Sequence, residues 1–413
     1  MLGQTERGNK MNSRWLLMVC VASGLLALGG SAAYAQAGSL DPTFGTNGIA
    51  TSSAFVSPMA AALDAADNII IGGTNGSIGT PGQMTRILAN GALDTTFGAG
   101  GVVTTSIPVE LRGLTVQADG KIVAVGYNNT YAGTQQQIVV ARYNTDGSPD
   151  TSFGSGGMVS TTVYEYGSEA QVALQQPDGK LLVGGAGLEQ AVIRYNTDGS
   201  LDSSFGSGGI AQFGGVEAVL LALQSDGSIL VDGASGGGLQ ELNAGGVLQS
   251  GVKVGTIIAI SRDGGIAMLP NGETILPEME QLQRRPIEED SELVEFLVNG
   301  IKDARFYSPA FFFVKQPKGA YEQSLIGSVA LQSDGKILGG GFSNPPGVFA
   351  LARFKKNGAF DKTFGTKGKV LTPVLSGSSI AQLVIQSSGK VVAVGQATDG
   401  TNEYLALARY LTQ

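Results

Sequence analysis

Two loops of the chain place oxygen-bearing side chains at a spacing that suits a hard cation. Both loops follow the pattern Asn-x-Asp-Gly-x-x-Asp. Calcium is bound by several carboxylate, amide and carbonyl oxygens at once, and short acidic loops supply such oxygens together. The candidate calcium ligands are Asn144, Asp146, Asp150, Asn196, Asp198 and Asp202.

Both loops also carry an arginine at the position where a calcium loop would hold a further acid. Arg142 and Arg194 take this position in the two loops, and Arg86 and Arg353 take it in two further copies. A guanidinium donates strong, charge-assisted hydrogen bonds to a carboxylate. The competing interpretation is therefore structural: each arginine pairs with the downstream aspartate, or with carbonyl groups at the strand ends, and fixes a turn.

The composition excludes several kinds of catalytic and binding site. The chain has no histidine, and its single cysteine (Cys20) and single tryptophan (Trp15) lie in an N-terminal apolar stretch. Histidine-dependent triads, His/Cys metal sites and disulfide frameworks therefore lack their residues. With 26 Lys+Arg against 34 Asp+Glu, the chain also lacks the excess of basic residues that binds a phosphate backbone. We expect no nucleic-acid partner and, calcium aside, no cofactor.

The loops belong to a pattern that recurs along the chain. A hairpin motif, close to Leu-Gln-x-Asp-Gly-Lys-Ile, lies within residues 114–126, 172–184, 221–233 and 329–341. A second module, close to Ala-Arg-Tyr-Asn-x-Asp-Gly-x-x-Asp-x-x-Phe-Gly, lies at residues 141–154, 193–206 and 352–365, and in part at 86–98. The tail of this module also appears near the start of the chain, at Leu40–Gly45, and its head appears at the end, at Ala408–Tyr410.

Each repeat reads as four short strands. Asp119-Gly120 suits a tight hairpin turn, because glycine adopts positive φ without steric cost and the primed turns match the twist of the strands. Four-stranded units recurring at roughly 50 residues are typical of propeller blades. The main rival is an open solenoid, but a chain that begins and ends with complementary halves of one module favours ring closure. We predict an all-β fold, a β-propeller of about seven four-stranded blades with one divergent, partly helical segment.

The two motifs resemble the delta-60 repeat family of bacterial exported proteins. The likeness extends over nearly all of the chain that follows the N-terminal apolar stretch, apart from one divergent segment. It implies a propeller-like fold and export, and it assigns no catalytic residues.

The repeat pattern fails in a charged segment at residues 277–322. Asp290-Ser291 suits the start of a helix, and Leu293, Phe296, Leu297 and Ile301 recur at helical spacing. One interpretation is a blade edge with a divergent sequence, and the other is a surface appendage that contacts a partner. On the second interpretation, the candidate partner-binding residues are Phe306, Phe311, Phe312 and Phe313.

The chain opens with a pattern typical of a secretory signal. Basic residues precede the apolar residues 15–28, and an Ala-x-Ala site ends at Ala35. The apolar run is shorter than the roughly 20 residues that cross a bilayer. We predict a cleaved signal peptide at 1–35, a mature domain at 36–413 and no stable membrane span after cleavage. The expected location is the periplasm or the extracellular space, and the competing interpretation is a retained membrane anchor.

These observations favour a non-enzymatic propeller that serves as a binding scaffold for a protein or a glycan of the cell envelope. The alternative is a carboxylate-based or calcium-assisted hydrolase with its site in the central channel. Paired carboxylates from several blades would have to converge there for such chemistry.

Overall fold

The computed structural model describes most of the chain beyond the N-terminal stretch. The described residues are 36–53, 57–74, 79–128, 136–164, 167–186, 189–214, 218–233, 239–262, 265–282, 288–308, 323–344 and 347–413. The predicted signal peptide at 1–35 lies outside them.

The described residues form strands and turns, with no helix, and hence none that could cross a membrane. The first strands are β1 (Ile49–Ser52), β2 (Ser57–Leu63), β3 (Ile69–Thr74), β4 (Pro81–Ile87), β5 (Val102–Val116), β6 (Ile122–Asn128), β7 (Ile138–Tyr143) and β8 (Met158–Thr161). They are followed by β9 (Glu169–Gln175), β10 (Leu181–Ala186), β11 (Gln190–Tyr195), β12 (Ile210–Phe213), β13 (Ala218–Gln224), β14 (Ile229–Gly233), β15 (Gln240–Leu242), β16 (Ile257–Arg262) and β17 (Ala267–Met268). The last are β18 (Thr274–Leu282), β19 (Glu288–Phe296), β20 (Gln323–Leu331), β21 (Ile337–Asn344), β22 (Val348–Phe354), β23 (Lys369–Thr372), β24 (Gly377–Ile385), β25 (Val391–Thr398) and β26 (Glu403–Tyr410).

The strands form antiparallel units that we number as blades 1 to 7 in chain order. Blade 1 contains β2, β3, β4 and the start of β5, blade 2 contains the rest of β5 with β6 to β8, and blade 3 contains β9 to β12. Blades 4, 5 and 6 are built on β13 to β15, β17 to β19 and β20 to β23, and blade 7 contains β24, β25, β26 and β1. The predicted all-β propeller is confirmed.

Both faces of a blade are buried against its neighbours. Every residue of β7 and of β13 is buried, which explains why these strands are mostly apolar, with Arg142 and Gln224 as the charged or amide side chains, instead of alternating regularly with polar residues. A cluster of buried side chains fills each joint between consecutive blades. In the joint of blades 2 and 3, for example, Val123 and Val140 pack with Ala173 and Leu181.

The innermost strands share one irregularity that fixes a glycine in the motif. In six blades a β-bulge inserts one extra residue into the inner strand: Met59, Arg112, Gln171, Val219, Gly327 and Ala381. A bulge brings the neighbouring backbone close to the strand that follows. A Cβ at Gly126 would overlap the carbonyl oxygen of Glu110, and one at Gly341 would overlap that of Leu325. In blades 2 and 6 the glycine that ends the hairpin motif is therefore required by the bulge.

Complementary half-modules from the two ends of the described chain meet in blade 7. β1 pairs with β26 so that Ile49 lies opposite Ala408. The Asp41 backbone N–H donates to the carbonyl of Arg409 at 2.8 Å, as the Asp150 N–H donates to Arg142 at 2.9 Å in blade 2. The first and last modules thus form one unit of the same type as the internal ones.

The predicted helix in the charged segment is wrong. Residues 288–296 form β19, which pairs antiparallel with β18 so that Phe296 lies opposite Thr274. Leu293 is buried in the joint with blade 6, whereas Val294 and Phe296 are buried in the joint with blade 4. Apolar residues that face both sides of a blade produce an apparent helical spacing, and the strand buries Leu293 and Phe296, whereas Leu297 and Ile301 lie beyond its end and Ile301 is exposed.

Blade 4 departs from its neighbours at its outer and inner edges. Its sheet has the order β15-β14-β13-β16, and the described residues provide no strand outside β15. The chain instead crosses the end of the blade, where the Ser225 N–H donates to the carbonyl of Thr256 at 2.8 Å. β16 then runs along the inner side of β13, so blade 4 gains a strand on the axial side of its sheet.

The bulge predicts that alanine substitution at two glycines of blade 6 has very different effects on stability. Gly341→Ala should lower the free energy of unfolding by more than about 3 kcal/mol, because the new Cβ overlaps backbone that the bulge holds in place. Gly327→Ala should change it by less than about 1 kcal/mol, because no atom lies within 4 Å of the new Cβ. Urea unfolding of both variants checks this, and equal losses would contradict the role given to the bulge.

Ring closure predicts that Arg409→Ala is strongly destabilising. Removing the guanidinium leaves the Asp41 carboxylate, 2% exposed, with the Lys390 ammonium as its remaining cation, and we expect a loss on the order of 3 kcal/mol. The double variant Arg409→Ala/Asp41→Asn should recover part of this loss, since the neutral amide needs no counter-charge. A double variant less stable than Arg409→Ala would contradict the interpretation.

Candidate functional site

The modules form a repeated contact that we call the clamp: the module arginine, the aspartate eight residues later and the phenylalanine three residues after that. In blade 2, Arg142 Nε lies 2.7 Å from an Asp150 carboxylate oxygen, and the guanidinium lies 4.6 Å from the centre of the Phe153 ring. Arg142 Nη1 also donates to the carbonyl of Thr197 in blade 3 at 2.7 Å. One side chain therefore neutralises a buried carboxylate and joins two blades.

Five blades contain a complete clamp, with the phenylalanine fully buried in each. Four are Arg86–Asp94–Phe97, Arg142–Asp150–Phe153, Arg194–Asp202–Phe205 and Arg353–Asp361–Phe364. In the fifth, in blade 7, Arg409 makes the same contacts with Asp41 and Phe44 from the start of the described chain. In blades 2, 3, 6 and 7 a lysine from the hairpin turn reaches the same carboxylate, at 2.7 to 3.3 Å. Each of these aspartates thus contacts two cations.

The structure gives the predicted calcium ligands protein partners. The Lys180 ammonium and the Ser204 hydroxyl hold the pKa of Asp202 well below its usual range. Asp146 lies on the exposed turn instead, where its carboxylate accepts the backbone N–H and the hydroxyl of Ser148 at 2.9 and 2.7 Å. Asn144 donates to the same hydroxyl at 3.0 Å, and Asn196 and Asp198 repeat this arrangement with Ser200. Calcium binding at these two loops stays a prediction.

Blades 4 and 5 carry glutamates where the other blades carry the clamp arginine. The Gln249 N–H donates to the carbonyl of Glu241 at 2.8 Å, and the Asp303 N–H donates to that of Glu295 at 2.8 Å, as Asp150 donates to Arg142. Sequence analysis missed this module in the charged segment. The available signals were Asn299-Gly300, Asp303 and Phe306 at the module spacing.

In blade 5 these changes assemble a group of three carboxylates. The carboxylate oxygens of Glu273, Glu295 and Asp303 lie within 4.8 Å of one another, and this is the one acidic group of its kind in the described part of the chain. Burial, and next the adjacent Glu273 carboxyl group, raise the pKa of Glu295 to about 7. Arg305 binds Asp303 through both Nε and Nη2, at 2.9 and 2.6 Å.

A second polar site lies among the inner strands. Arg112, Gln171 and Gln382 line a cavity of about 230 Å³ together with Met59 and Ala381. Arg112 pairs with Glu110 at 2.6 Å, and the Tyr127 hydroxyl donates to the same glutamate at 2.7 Å. None of the six bulge residues is acidic, so the described inner strands do not bring carboxylates together at these positions.

The predicted aromatic partner site is only partly within the described residues. Phe306 is half-buried and packs against the core between blades 5 and 6. Phe311, Phe312 and Phe313 lie outside the described residues. In the described part of the chain, large exposed apolar side chains lie on module turns at Leu201, Val247, Leu248 and Ile301, just beyond a turn at Tyr307, and elsewhere at Met59, Ile260, Leu371 and Leu375.

Three stretches of the chain match a protein-family model described as "Domain of unknown function (DUF5122) beta-propeller". The matched residues are 117–153, 176–205 and 332–364. They run from the hairpin turn to the clamp phenylalanine of blades 2, 3 and 6, which all have a lysine in the clamp. No curated protein sequence matches the chain.

Several solved structures resemble the chain at low identity. Virginiamycin B lyase from Staphylococcus aureus is 11% identical with a TM-score of 0.45, covering 86% of this chain and 95% of that one. Ycf48 bound to a D1 peptide is 9% identical with a TM-score of 0.45, covering 91% and 100%. A protein of unknown function from Bacteroides caccae is 13% identical with a TM-score of 0.39, covering 74% and 93%. The activity and the peptide belong to those proteins.

Blade 4 also buries a lone carboxylate. Asp232 is 1% exposed and lies opposite Leu220, the first inner-strand residue after the bulge. Gly184 and Gly340 occupy the equivalent position in blades 3 and 6. Asp232 Oδ1 accepts the Gly233 N–H at 2.8 Å, and the Thr274 side chain also favours the ionised form. Burial raises the pKa of Asp232 to about 6.

This raised pKa predicts a pH-dependent stability that Asp232→Asn removes. The folded protein binds this proton more tightly than the unfolded chain, so the contribution is present below about pH 4 and is lost as the pH rises through about 6. We expect Asp232→Asn to be more stable than the parent at pH 8 by on the order of 1–3 kcal/mol, with a much smaller difference at pH 4. Urea unfolding at both pH values checks this, and a difference independent of pH would refute it.

Proposed function

We propose that this protein is an exported, non-enzymatic propeller that serves as a binding scaffold at the cell envelope, and that its partner is a protein. We also propose that it belongs with the delta-60 repeat proteins, on the hairpin and module motifs. The absence of histidine from the whole sequence and the acid-free bulge positions of the described inner strands support a binding role over the hydrolase alternative.

The observation that carries the proposal is a change of residue type on consecutive module turns. After the turn glycine, blades 2 and 3 hold Ser148 and Ser200, whereas blades 4 and 5 hold Val247 and Ile301, which are 58% and 61% exposed. Exposed aliphatic side chains do not stabilise the fold, and apolar side chains exposed at equivalent positions of consecutive turns support an interaction surface.

Two further exposed side chains lie on or next to the module turns of blades 4 and 5. Leu248, beside Val247, is 45% exposed, and Tyr307, after the clamp position of blade 5, is 70% exposed. Tyrosine is enriched among residues that dominate binding energy, because it combines a large apolar area with a polar tip. Aliphatic side chains offer no hydrogen bonds to sugar hydroxyls, so the set favours a protein over a glycan.

The test replaces the two aliphatic residues by the serine that the chain itself uses. Val247→Ser/Ile301→Ser should fold like the parent, because the same turn with serine forms in blades 2 and 3. We expect its capture of envelope proteins in a pull-down to fall at least about tenfold relative to the parent, the loss expected when a central apolar contact of an interface is removed.

Leu375→Ser is the matched control, because Leu375 is an exposed apolar residue (49%) located before β24 in blade 7. It should leave capture unchanged. Equal capture by the parent and the double variant would contradict the assignment of this face, and failure of the parent to retain any envelope protein would contradict the binding role.

A further inference from the structure

Blade 5 reverses the charges of the clamp at the same backbone positions. In blade 2 the Asp150 carboxylate contacts Lys121 at 3.1 Å and Arg142 at 2.7 Å. Glu273 follows the turn Asn271-Gly272 as Lys121 follows Asp119-Gly120, and Glu295 stands at the arginine position. Two cations beside the aspartate are therefore replaced by two carboxylates, while the aspartate itself, Asp303, is kept.

No hydrogen-bond donor among the described residues stabilises the ionised form of the Glu295 side chain, and the opposing charge that favours this form, Arg305, acts only through its charge. Glu295 is 6% exposed, and no backbone N–H, hydroxyl or basic group among the described residues donates a hydrogen bond to its carboxylate. Its carboxylate is directed at those of Glu273 and Asp303. A buried carboxylate without a counter-charge is strongly unfavourable.

The nearby arginine does not supply the missing charge. Arg305 forms its ion pair with Asp303, and its side chain is 78% exposed. Its closest approach to Glu273 is 3.8 Å. When all three carboxyl groups are ionised, they and the one guanidinium leave two negative charges in a place where four sister blades hold a net positive charge.

We propose that Glu273, Glu295 and Asp303 bind a divalent cation, and that the cation is calcium. All three ligands are carboxylate oxygens, the donors that hard cations prefer, and the group has no nitrogen or sulfur ligand for zinc or copper. One divalent ion neutralises the two excess charges. It takes the place that lysine and arginine occupy in blades 2, 3, 6 and 7, and it fixes the turn that presents Ile301.

Calcium titration of the chelator-treated protein tests the site directly. Isothermal titration should show one binding event, and calcium in large excess over its dissociation constant should raise Tm by on the order of a few °C. Glu295→Gln should weaken the binding at least about tenfold, because it removes one charged ligand.

The decisive variant restores the cations of the sister blades. Glu273→Lys/Glu295→Arg recreates the arrangement of Lys121, Arg142 and Asp150, so it should fold, with a Tm in chelator at or above that of the parent and no calcium response. Absence of calcium binding by the parent, or an equal response in this double variant, would overturn the proposal. Binding of zinc in preference to calcium would overturn the choice of ion. This outcome is independent of the pull-down, which probes exposed side chains.

Discussion

A carboxylate buried between two blades has to be neutralised, and the structure depends on how that is done. The clamp aspartate accepts hydrogen bonds that fix the module turn, so it cannot be replaced simply by an apolar residue. The arginine that balances its charge stacks on a buried phenylalanine and donates to a carbonyl of the next blade. Charge neutralisation, core packing and blade-to-blade connection therefore share one side chain. Arg409 and Asp41 extend the same arrangement across the two ends of the domain.

The repeated parts of this fold could be predicted from the sequence because each is encoded locally. Turn glycines, apolar strands and the module spacing indicated a propeller, and the interpretation of Arg142 as the partner of Asp150 agrees with the observed geometry. The helix at residues 290–301 was wrong, because a strand buried on both faces has no polar side to reveal its period. The group of Glu273, Glu295 and Asp303 was missed for a different reason. Glu273 and Glu295 meet only through the register of β18 and β19, which no local pattern specifies.

Departures from the repeat are concentrated in blades 4 and 5. These blades lose the clamp arginine, provide no outer strand among the described residues and expose aliphatic side chains on their turns. β16 lies along the inner edge of blade 4, and Asp232 is buried in the same blade. Regular blades can supply the stability of the ring, which leaves these two free to differ. Under the proposed function, these two blades are where specificity resides, and a bound cation would hold the turn of blade 5 in place.

Closure of the domain by its two ends is the central claim, and hydrogen exchange of individual amides tests it most directly. β1 is the outermost strand of blade 7, as β12 is of blade 3, where the chain is continuous. The amides of Ile49–Ser52 that pair with β26 should exchange as slowly as those of Ile210–Phe213, because both open only when a complete blade unfolds. Fast exchange of the β1 amides beside a protected β12 would mean that the N-terminal strand is loosely attached, and it would contradict a closed ring.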